Sequence, residues 1–372
     1  MHEKFDVLRR LVRAGLILGC ALIFSTGLYG QSGQTEDELT ILLNQTANSY
    51  VSPMMPSLSA SLNSSWLSMP PTTRMGFDIR LGGTAALSDL NTDPGSFAHT
   101  GQYYLSRDAA EELTTDIEDQ PDIREQVITQ LVNDGIPINI TGTTIVGPAN
   151  QNMLVRFGDD GEVDFTVRHA EYPFPVHITL EPDDIELELG GVFQEEGLTQ
   201  FPAAAPQITL GTLYGTQAVI RYIPAIEIDK ENGSFSYLGG GLLHNPMVWL
   251  PDFAYVDIGL GAFWQQIKLG DIMEMQTVSY GAMVGRSFGP GWANVTPQLG
   301  LLWDGMTMDM QYTEELDTPG ESRDVTMELA LESPTEMRTF VGLEGYLFHL
   351  TMFGRYYVSG RGGLTAGVGL SF

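Results

Sequence analysis

Few side chains in this sequence have the type and spacing that chemistry requires. A serine hydrolase needs a histidine base beside a nucleophile and an orienting acid or amide. His99, His169, His177, His244 and His349 are the candidates beyond residue 30, and none lies in a nucleophile motif. Each reads as a girdle, loop or lumen histidine. The single cysteine, Cys20, follows Leu18 and Gly19 in a loose likeness to a lipoprotein processing site, yet apolar sequence continues to Phe24, so it reads as a packed leader residue. Beyond the leader no thiol remains, which excludes disulfides, zinc thiolate sites and cysteine nucleophiles. Met306, Met308 and Met310 have the softness of a copper site. Period two puts all three on one strand face, read here as an outer one packed by lipid or loops. Gly360-Arg361-Gly362 opens no helix and reads as a turn, not a phosphate cradle. The chain is expected to be no enzyme and to hold no cofactor and no metal.

The charges of interest are those that strand alternation turns inward: Asp78, Arg80, Arg156, Asp164, Arg168, Arg221, Asp257, Glu328, Glu332, Arg338, Glu344 and Arg355. Inside a barrel, such groups either pair across the interior and rigidify it or line a solute path. Both readings stay open on sequence. Either one demands a closed sheet whose other face is apolar.

That sheet is visible in the last ten residues. Leu364, Ala366, Val368, Leu370 and Phe372 share one side of a period-two strand, with Gly, Thr and Ser on the other. A strand between lipid and a small-residue interior requires this pattern. The terminal Phe372 resembles the signal by which the outer-membrane barrel-assembly machinery recognises its substrates. The alternation repeats upstream: Met352, Gly354, Tyr356 and Val358 on one face; Val341, Leu343 and Leu347; Val325, Met327, Leu329 and Leu331; Val278, Tyr280, Ala282 and Val284; Leu260 and Ala262; Leu81, Gly83 and Ala85. Trp264, Trp303, Tyr312, Tyr346, Phe348 and Phe372 fall near segment ends, where aromatic girdles belong. The fold class expected is all-β: a transmembrane antiparallel β-barrel of about twelve to fourteen strands over 75–372.

At the other end, Lys4, Arg9, Arg10 and Arg13 precede an apolar run from Ala14 to Phe24 and the small residues Ser25, Gly27 and Gly30. Residues 1–30 read as a secretory signal peptide cleaved after Gly27 or Gly30. No other stretch approaches the eighteen or so apolar residues of a spanning helix. Residues 31–74 form an N-terminal helix and a hatch. Thr35 with Glu38 suggests a capping box, and the Ser-, Met-, Pro- and Leu-rich run that follows would bury Met54, Met55, Leu58, Leu62 and Trp66 in the barrel mouth or under the barrel. A helical loop insertion, 89–151, carries two short helix patterns, one headed by Asp108 and Glu111, the other by Asp122 and Glu125. The second has Ile123, Val127, Ile128 and Leu131 as its apolar face and Gly135 as its stop. If the first strand runs outward from a periplasmic N-terminus, this insertion is external.

Composition narrows the partners. Without the first 30 residues, 14 Lys and Arg face 45 Asp and Glu, a formal charge of −31. Such a chain is not expected to bind nucleic acid or an anionic membrane surface electrostatically. The expected contacts are outer-membrane lipid and lipopolysaccharide, the assembly machinery through the strand ending at Phe372, and a small apolar solute. The acidic stretch from Glu181 to Glu196 reads as a solvated external face.

Tyr50-Val51-Ser52-Pro53, Leu62-Asn63, Trp66 and Gly76-Phe77-Asp78 resemble the opening of an uncharacterised family of predicted Gram-negative outer-membrane barrels. Pro206-Gln207, Gly211, Gly215-Thr216 and Arg221-Tyr222-Ile223-Pro224 resemble its central motif. A looser architectural similarity is to long-chain fatty-acid transporter barrels, with no ligand residue matched. The resemblance implies fold and outer-membrane location and names no activity. Two functions follow as expectations: passive passage of a small apolar or amphipathic solute gated by the Met- and Leu-rich segment, or a structural or surface-interaction barrel with a packed, non-conducting lumen.

Overall fold

Strands with one apolar face must stack on another layer or close on themselves, and most of these close. The computed structural model describes residues 42, 44–69, 75–90, 94–105, 107–158, 161–168, 175–182, 184–187, 190–229, 233–250, 256–318 and 321–372. The leader over 1–30, the pair Thr35 and Glu38, His169 and the side chain of Tyr312 lie outside the described residues. The chain divides into two compact units, one of residues up to 53, 92–197 and 312–327, the other of 54–91, 198–311 and 328–372.

In chain order the elements are helix α1 (Met55–Asn63), β1 (Met75–Asp89), β2 (Ser96–Tyr103), α2 (Arg107–Leu113), α3 (Pro121–Asn133), β3 (Ile136–Thr143), β4 (Met153–Phe157), β5 (Val163–Val167), β6 (Val176–Leu180) and β7 (Ile185–Leu187). They continue with β8 (Gln200–Leu213), β9 (Thr216–Asp229), β10 (Gly233–His244), β11 (Asp257–Leu269), β12 (Met273–Gly285), β13 (Ala293–Thr318), β14 (Glu321–Leu347), β15 (Leu350–Ser359) and β16 (Gly363–Ser371). The closed barrel runs β1-β16-β15-β14-β13-β12-β11-β10-β9-β8, ten strands, where the sequence predicted about twelve to fourteen. The difference lies between Asp89 and Gln200. Strands there alternate as well, but they form a separate sheet, β2-β3-β4-β7, and a β5-β6 hairpin. The insertion therefore continues past 151, and Arg156, Asp164 and Arg168 are no barrel residues at all.

That insertion has an apolar core of its own. Ile123, Val127, Ile128 and Leu131 of α3 are buried, as are Ile138, Ile140, Val155 and Phe165 of the strands. Pro121 opens α3 at its first turn, with no side-chain cap, so Asp122 lies inside the helix and forms no capping box. Gly135 stops it at φ +70°, where a Cβ would meet the Tyr103 carbonyl oxygen at 2.9 Å. Arg107 joins Glu125 at 2.7 Å and Glu111 at 3.1 Å on the exposed side. The hydrogen bond and charge of Glu125 raise the arginine's pKa above its ordinary value.

In the barrel, β1 begins at Met75 opposite Leu213 and ends at Asp89 opposite Gln200. The first of these ends also holds the close of β16, where Phe372 and Ile79 exchange backbone hydrogen bonds. It is called the terminal end here, and the Asp89 end the insertion end. Along the strands the two faces swap chemistry. From the terminal end to mid-barrel the outer face carries exposed Leu81, Leu260, Val278, Val284, Leu299, Leu343, Tyr356 and Val368, while Thr277, Ser279, Gln298, Arg338 and Arg355 are buried inside. Toward the insertion end the order reverses. Ile267, Leu269, Met273, Met275, Met306, Met308, Leu329 and Leu331 are buried, and Lys268, Thr307, Asp309, Glu328 and Glu332 are exposed. Glu328 and Glu332 thus face outward, and Met306 and Met308 inward, each opposite to expectation. The inward parity of β14 changes between Ser333 and Arg338, so continuing one alternation along that strand turned the two glutamates inward, whereas β13 keeps its even positions inward throughout and Met306 and Met308 follow Gln298, Leu302 and Asp304.

Ten strands enclose more room than inward side chains alone can fill. Residues 55–69 occupy it. Ser57 donates to the Asp89 carbonyl near the insertion end, and Met69 reaches Gly285 near the terminal end. The segment therefore runs the length of the barrel before β1 begins. It fits because the facing wall has no side chains: a Cβ on Gly239 would meet Trp66 at 2.9 Å, on Gly261 Leu67 at 2.8 Å, and on Gly285 Met69 at 2.8 Å. Gly239→Val is expected to lose about 1–3 kcal/mol through overpacking. Gly240→Val, whose Cβ meets nothing nearer than a carbonyl oxygen at 4.0 Å, should change little. Urea-unfolding midpoints of the two variants refolded in micelles check the contrast.

Candidate functional site

The interior segment is attached to the wall by its serines. Ser59 donates to Asp304 at 3.4 Å, Ser61 to the Phe201 carbonyl at 2.5 Å, and Ser64 to Ala60 of its own helix at 2.5 Å. Asn63 accepts from Thr277 at 2.8 Å and from Gln265 at 3.2 Å. Ser65 turns the chain out of the helix at φ +71°, a left-handed conformation costly for a residue with a Cβ. Trp66 then stacks on Phe263 with centroids 5.0 Å apart. Together with Leu67, Val219, Leu243, Met283, Leu302, Phe340 and Tyr357 they form the apolar centre of the barrel.

Around that centre lie the arginines. Arg338 binds Asp304 through two nitrogens, at 2.6 and 2.8 Å, reaches Ser64 at 3.2 Å, and lies 4.4 Å over the Tyr357 ring. Arg80 stands 3.8 Å from Glu344. Glu344 accepts from Gln298 at 2.8 Å, and Gln298 in turn accepts from Arg355 at 3.2 Å. Arg221 donates to Gln207 at 3.0 Å, the Ser64 carbonyl at 3.3 Å and Ser65 Oγ at 2.7 Å, with its guanidinium 3.9 Å over Trp66. Among the described residues no carboxylate lies within ion-pair distance of Arg221 or Arg355. This interior carries more positive than negative charge in a chain of formal charge −29.

Of the charges expected to face the lumen, Arg80, Arg221, Arg338, Glu344 and Arg355 converge on this network. Asp78 is half-buried on β1 near the terminal end, and Asp257 is half-buried at the start of β11, accepting from Asn245 at 3.4 Å. Arg156, Asp164 and Arg168 belong to the insertion, Arg156 with Asp184 at 3.1 Å and Asp164 with Thr179 at 2.6 Å. Met54, Met55, Leu58 and Trp66 are buried and Leu62 half-buried. Asp304, Gln265 and Gln298 did not stand out in the sequence, and Gln207 and Asn63 did so only as parts of the family resemblance. Their signal was present in the wall residues: each lies at an inward position of its strand, with apolar residues as neighbours.

Nothing resembling a hydrolytic site assembles among the described residues. His99 meets Ser49 at 2.7 Å, His177 meets Thr166 at 3.3 Å, His244 meets Thr216 at 2.9 Å and His349 meets the Ser371 carbonyl at 2.9 Å. None of these pairs has an acid bonded to the second ring nitrogen. Tyr50, buried in the same unit as His99, donates to the Gly190 carbonyl at 3.0 Å; burial and then the charge of Glu195 hold its phenol well above its usual pKa.

Residues 10–372 match the model of a family of unknown function, DUF6588, and the chain belongs to that family. No curated protein matches it. Among solved structures, a porin aligns over 79% of this chain and 100% of its own at 12% identity and a TM-score of 0.17. An anion-selective porin from Comamonas acidovorans aligns over 80% and 98% at 12% identity and a TM-score of 0.16. A loop-deletion mutant of OmpT, an outer-membrane protein of Vibrio cholerae, aligns over 80% and 99% at 10% identity and a TM-score of 0.16.

The Asp304 and Arg338 pair makes a direct prediction. Arg338→Leu leaves a buried carboxylate uncompensated and is expected to cost about 3–5 kcal/mol, whereas the double variant Asp304→Leu/Arg338→Leu should recover most of that loss. Equilibrium unfolding in micelles decides it: a double variant no more stable than Arg338→Leu would show that the loss does not come from the stranded acid.

Proposed function

We propose that this chain is an outer-membrane barrel sealed at rest by its own residues 55–69, a structural and interaction barrel and not an open pore. The observation that carries the reading is the filled interior. The cavities beside the plug segment, one near Arg221 and one near Ser68 and Arg80, measure about 20 and 30 Å³, room for about one water each.

The outer face supports the membrane part. Apolar outward residues extend over about seven to nine positions per strand, about 25 Å along a strand and, at the tilt of this class of barrel, about 20 Å in height, somewhat under its apolar band of about 25 Å. Aromatic side chains border the band on both sides. Trp264 and the stacked pair Tyr280 and Trp303 lie toward the insertion end, while the stacked pairs Tyr214 with Trp249 and Trp292 with Phe348 lie at the terminal end. The start of β1 and the close of β16 share the terminal end, which supports a periplasmic location for it with the Asp89 end outside. Lipid and lipopolysaccharide then meet the outer wall, and β16, paired with β1 and ending in an outward Phe372, is the strand offered to the assembly machinery.

A gated path for a small apolar or amphipathic solute is the second reading. It is favoured by how residues 55–69 are held, through serine hydroxyls, carbonyls and one tryptophan stack, bonds that water or a ligand can replace.

Two measurements test these readings. In planar bilayers the intact protein should be silent and a variant lacking residues 55–69 should conduct; conductance of the intact protein at rest would refute the seal. In lipid vesicles, Leu343→Arg should lower folding stability by about 2–4 kcal/mol, while a charge at Glu328→Arg, beyond the apolar band, should cost under about 1 kcal/mol. Equal costs at both positions would remove the membrane assignment.

A further inference from the structure

The thioethers with the softness of a copper site face inward, and they are not alone there. Met306, Met308 and Met310 share the inner face of β13. On the neighbouring strand Met275 lies opposite Met308 and Met273 opposite Met310. Met273, Met275, Met306 and Met308 are buried and Met310 is half-buried. Side chains directly opposite in an antiparallel pair have Cβ atoms about 4.5–5.5 Å apart. The methionine arm is long and unbranched, so sulfurs of both strands can converge over this wall. The plug turns a further thioether the same way. Asn63, Ser59 and Met55 share one face of α1, and the first two bond to Thr277 of β12 and Asp304 of β13. Met55 is fully buried.

Packing alone does not require this cluster. On the other side of β12 the same level is filled by Ile267, opposite Met275, and Leu269, opposite Met273, and β14 turns Leu329 and Leu331 inward. Methionine loses more rotamer freedom on burial than leucine or isoleucine, so a core selected for stability would use aliphatics on β12 and β13 as well. The chemistry of the cluster is equally restricted. Among the described residues no three His, Cys, Asp or Glu side chains are grouped so as to hold a metal ion, and neutral thioethers select a soft, singly charged one. Its charge has an answer across the wall. Glu274 and Asp309 are cross-strand partners on the outer side at this level. Lys268 pairs with Glu274 at 2.8 Å, and among the described residues no cation lies within ion-pair distance of Asp309.

We propose that Met275, Met306 and Met308 form a thioether site for Cu(I), with Met273 and Met310 as its approach from the insertion end. This goes beyond the sealed-barrel reading and does not depend on the bilayer, because the site belongs to the fold of wall and plug. Half-buried Met310 is the first sulfur an entering ion meets, and the Met275 and Met308 pair lies one inward position deeper. Binding displaces no proton and transfers no electron. Affinity should therefore hold from about pH 7 down to about pH 5, where a histidine site would release its metal.

The full chain refolded in micelles tests this, with Cys20→Ser in every sample so that no thiol competes. Cu(I) is offered as its bicinchoninate complex under ascorbate, and Ag(I) serves as a redox-inert probe. The protein should take a single Cu(I) from the chelator, and copper X-ray absorption should show sulfur neighbours. Met275→Leu and Met308→Leu conserve volume; each should weaken binding at least about tenfold, and the two together should abolish it. Met283→Leu in the apolar centre and Met352→Leu on the outer face should leave it unchanged. With carbon-13 methyl-labelled methionine and no core substitution, Ag(I) should shift the methyl signals of Met275, Met306 and Met308 and spare that of Met352. Failure to take up Cu(I), copper held by nitrogen or oxygen alone, Ag(I) shifts confined to exposed methionines, or binding undiminished in the double variant would each overturn the site.

Discussion

The structure depends on a volume constraint. A closed wall of ten strands has an interior that its own side chains do not fill, and an unfilled interior loses dispersion contacts along its whole lining. The chain meets this by sending residues 55–69 through the barrel before the first strand is laid down. The facing wall yields space for it: Gly239, Gly261, Gly281 and Gly285 stand where side chains would collide with Trp66, Leu67 or Met69. Wall and plug are complementary to each other, and neither would be well packed alone.

The polar part of the interior follows from the same arrangement. A helix end and an irregular segment inside a barrel expose carbonyls and amides that water does not reach, so the wall must bond to them. Arg221, Arg338, Gln265 and Thr277 do so, taking the Ser64 carbonyl, Ser64 Oγ and the Asn63 side chain as partners. Arginines serve well here because one guanidinium donates in several directions while its face stacks on Trp66 or Tyr357. Two carboxylates, Asp304 and Glu344, balance part of this charge. Among the described residues Arg221 has neutral acceptors only, and it lies where β8 and β9 part.

The two faces of the wall exchange chemistry along the barrel. Where the outside is Leu, Val and aromatic, the inside is Ser, Thr, Gln and Arg; where the outside is Lys, Glu and Asp, the inside is Met, Leu and Ile. The first is the order that the proposed membrane setting requires around a hydrogen-bonded plug, and the second is that of a sheet with a polar outer face and an apolar inner one. Met306 and Met308 are core residues of the second zone, packed at the same level as Met273 and Met275.

Period two alone determined much of this protein: extended segments with one apolar face, the outward set from Leu364 to Phe372, the inward Arg80, Arg221, Arg338, Glu344 and Arg355, and an apolar segment before the first strand. Those features are local, because side chains i and i+2 share a face wherever a strand goes. Which strands close together was not local. The segments between Asp89 and Gln200 alternate like the others, and only long-range pairing separates them from the barrel. The same holds for the parity change after Ser333, which turned Glu328 and Glu332 outward, and for the partners of Arg221. Hydrogen bonds between residues some 150 positions apart are set by strand register and by the path of the plug, and neither is written in the spacing of neighbouring residues.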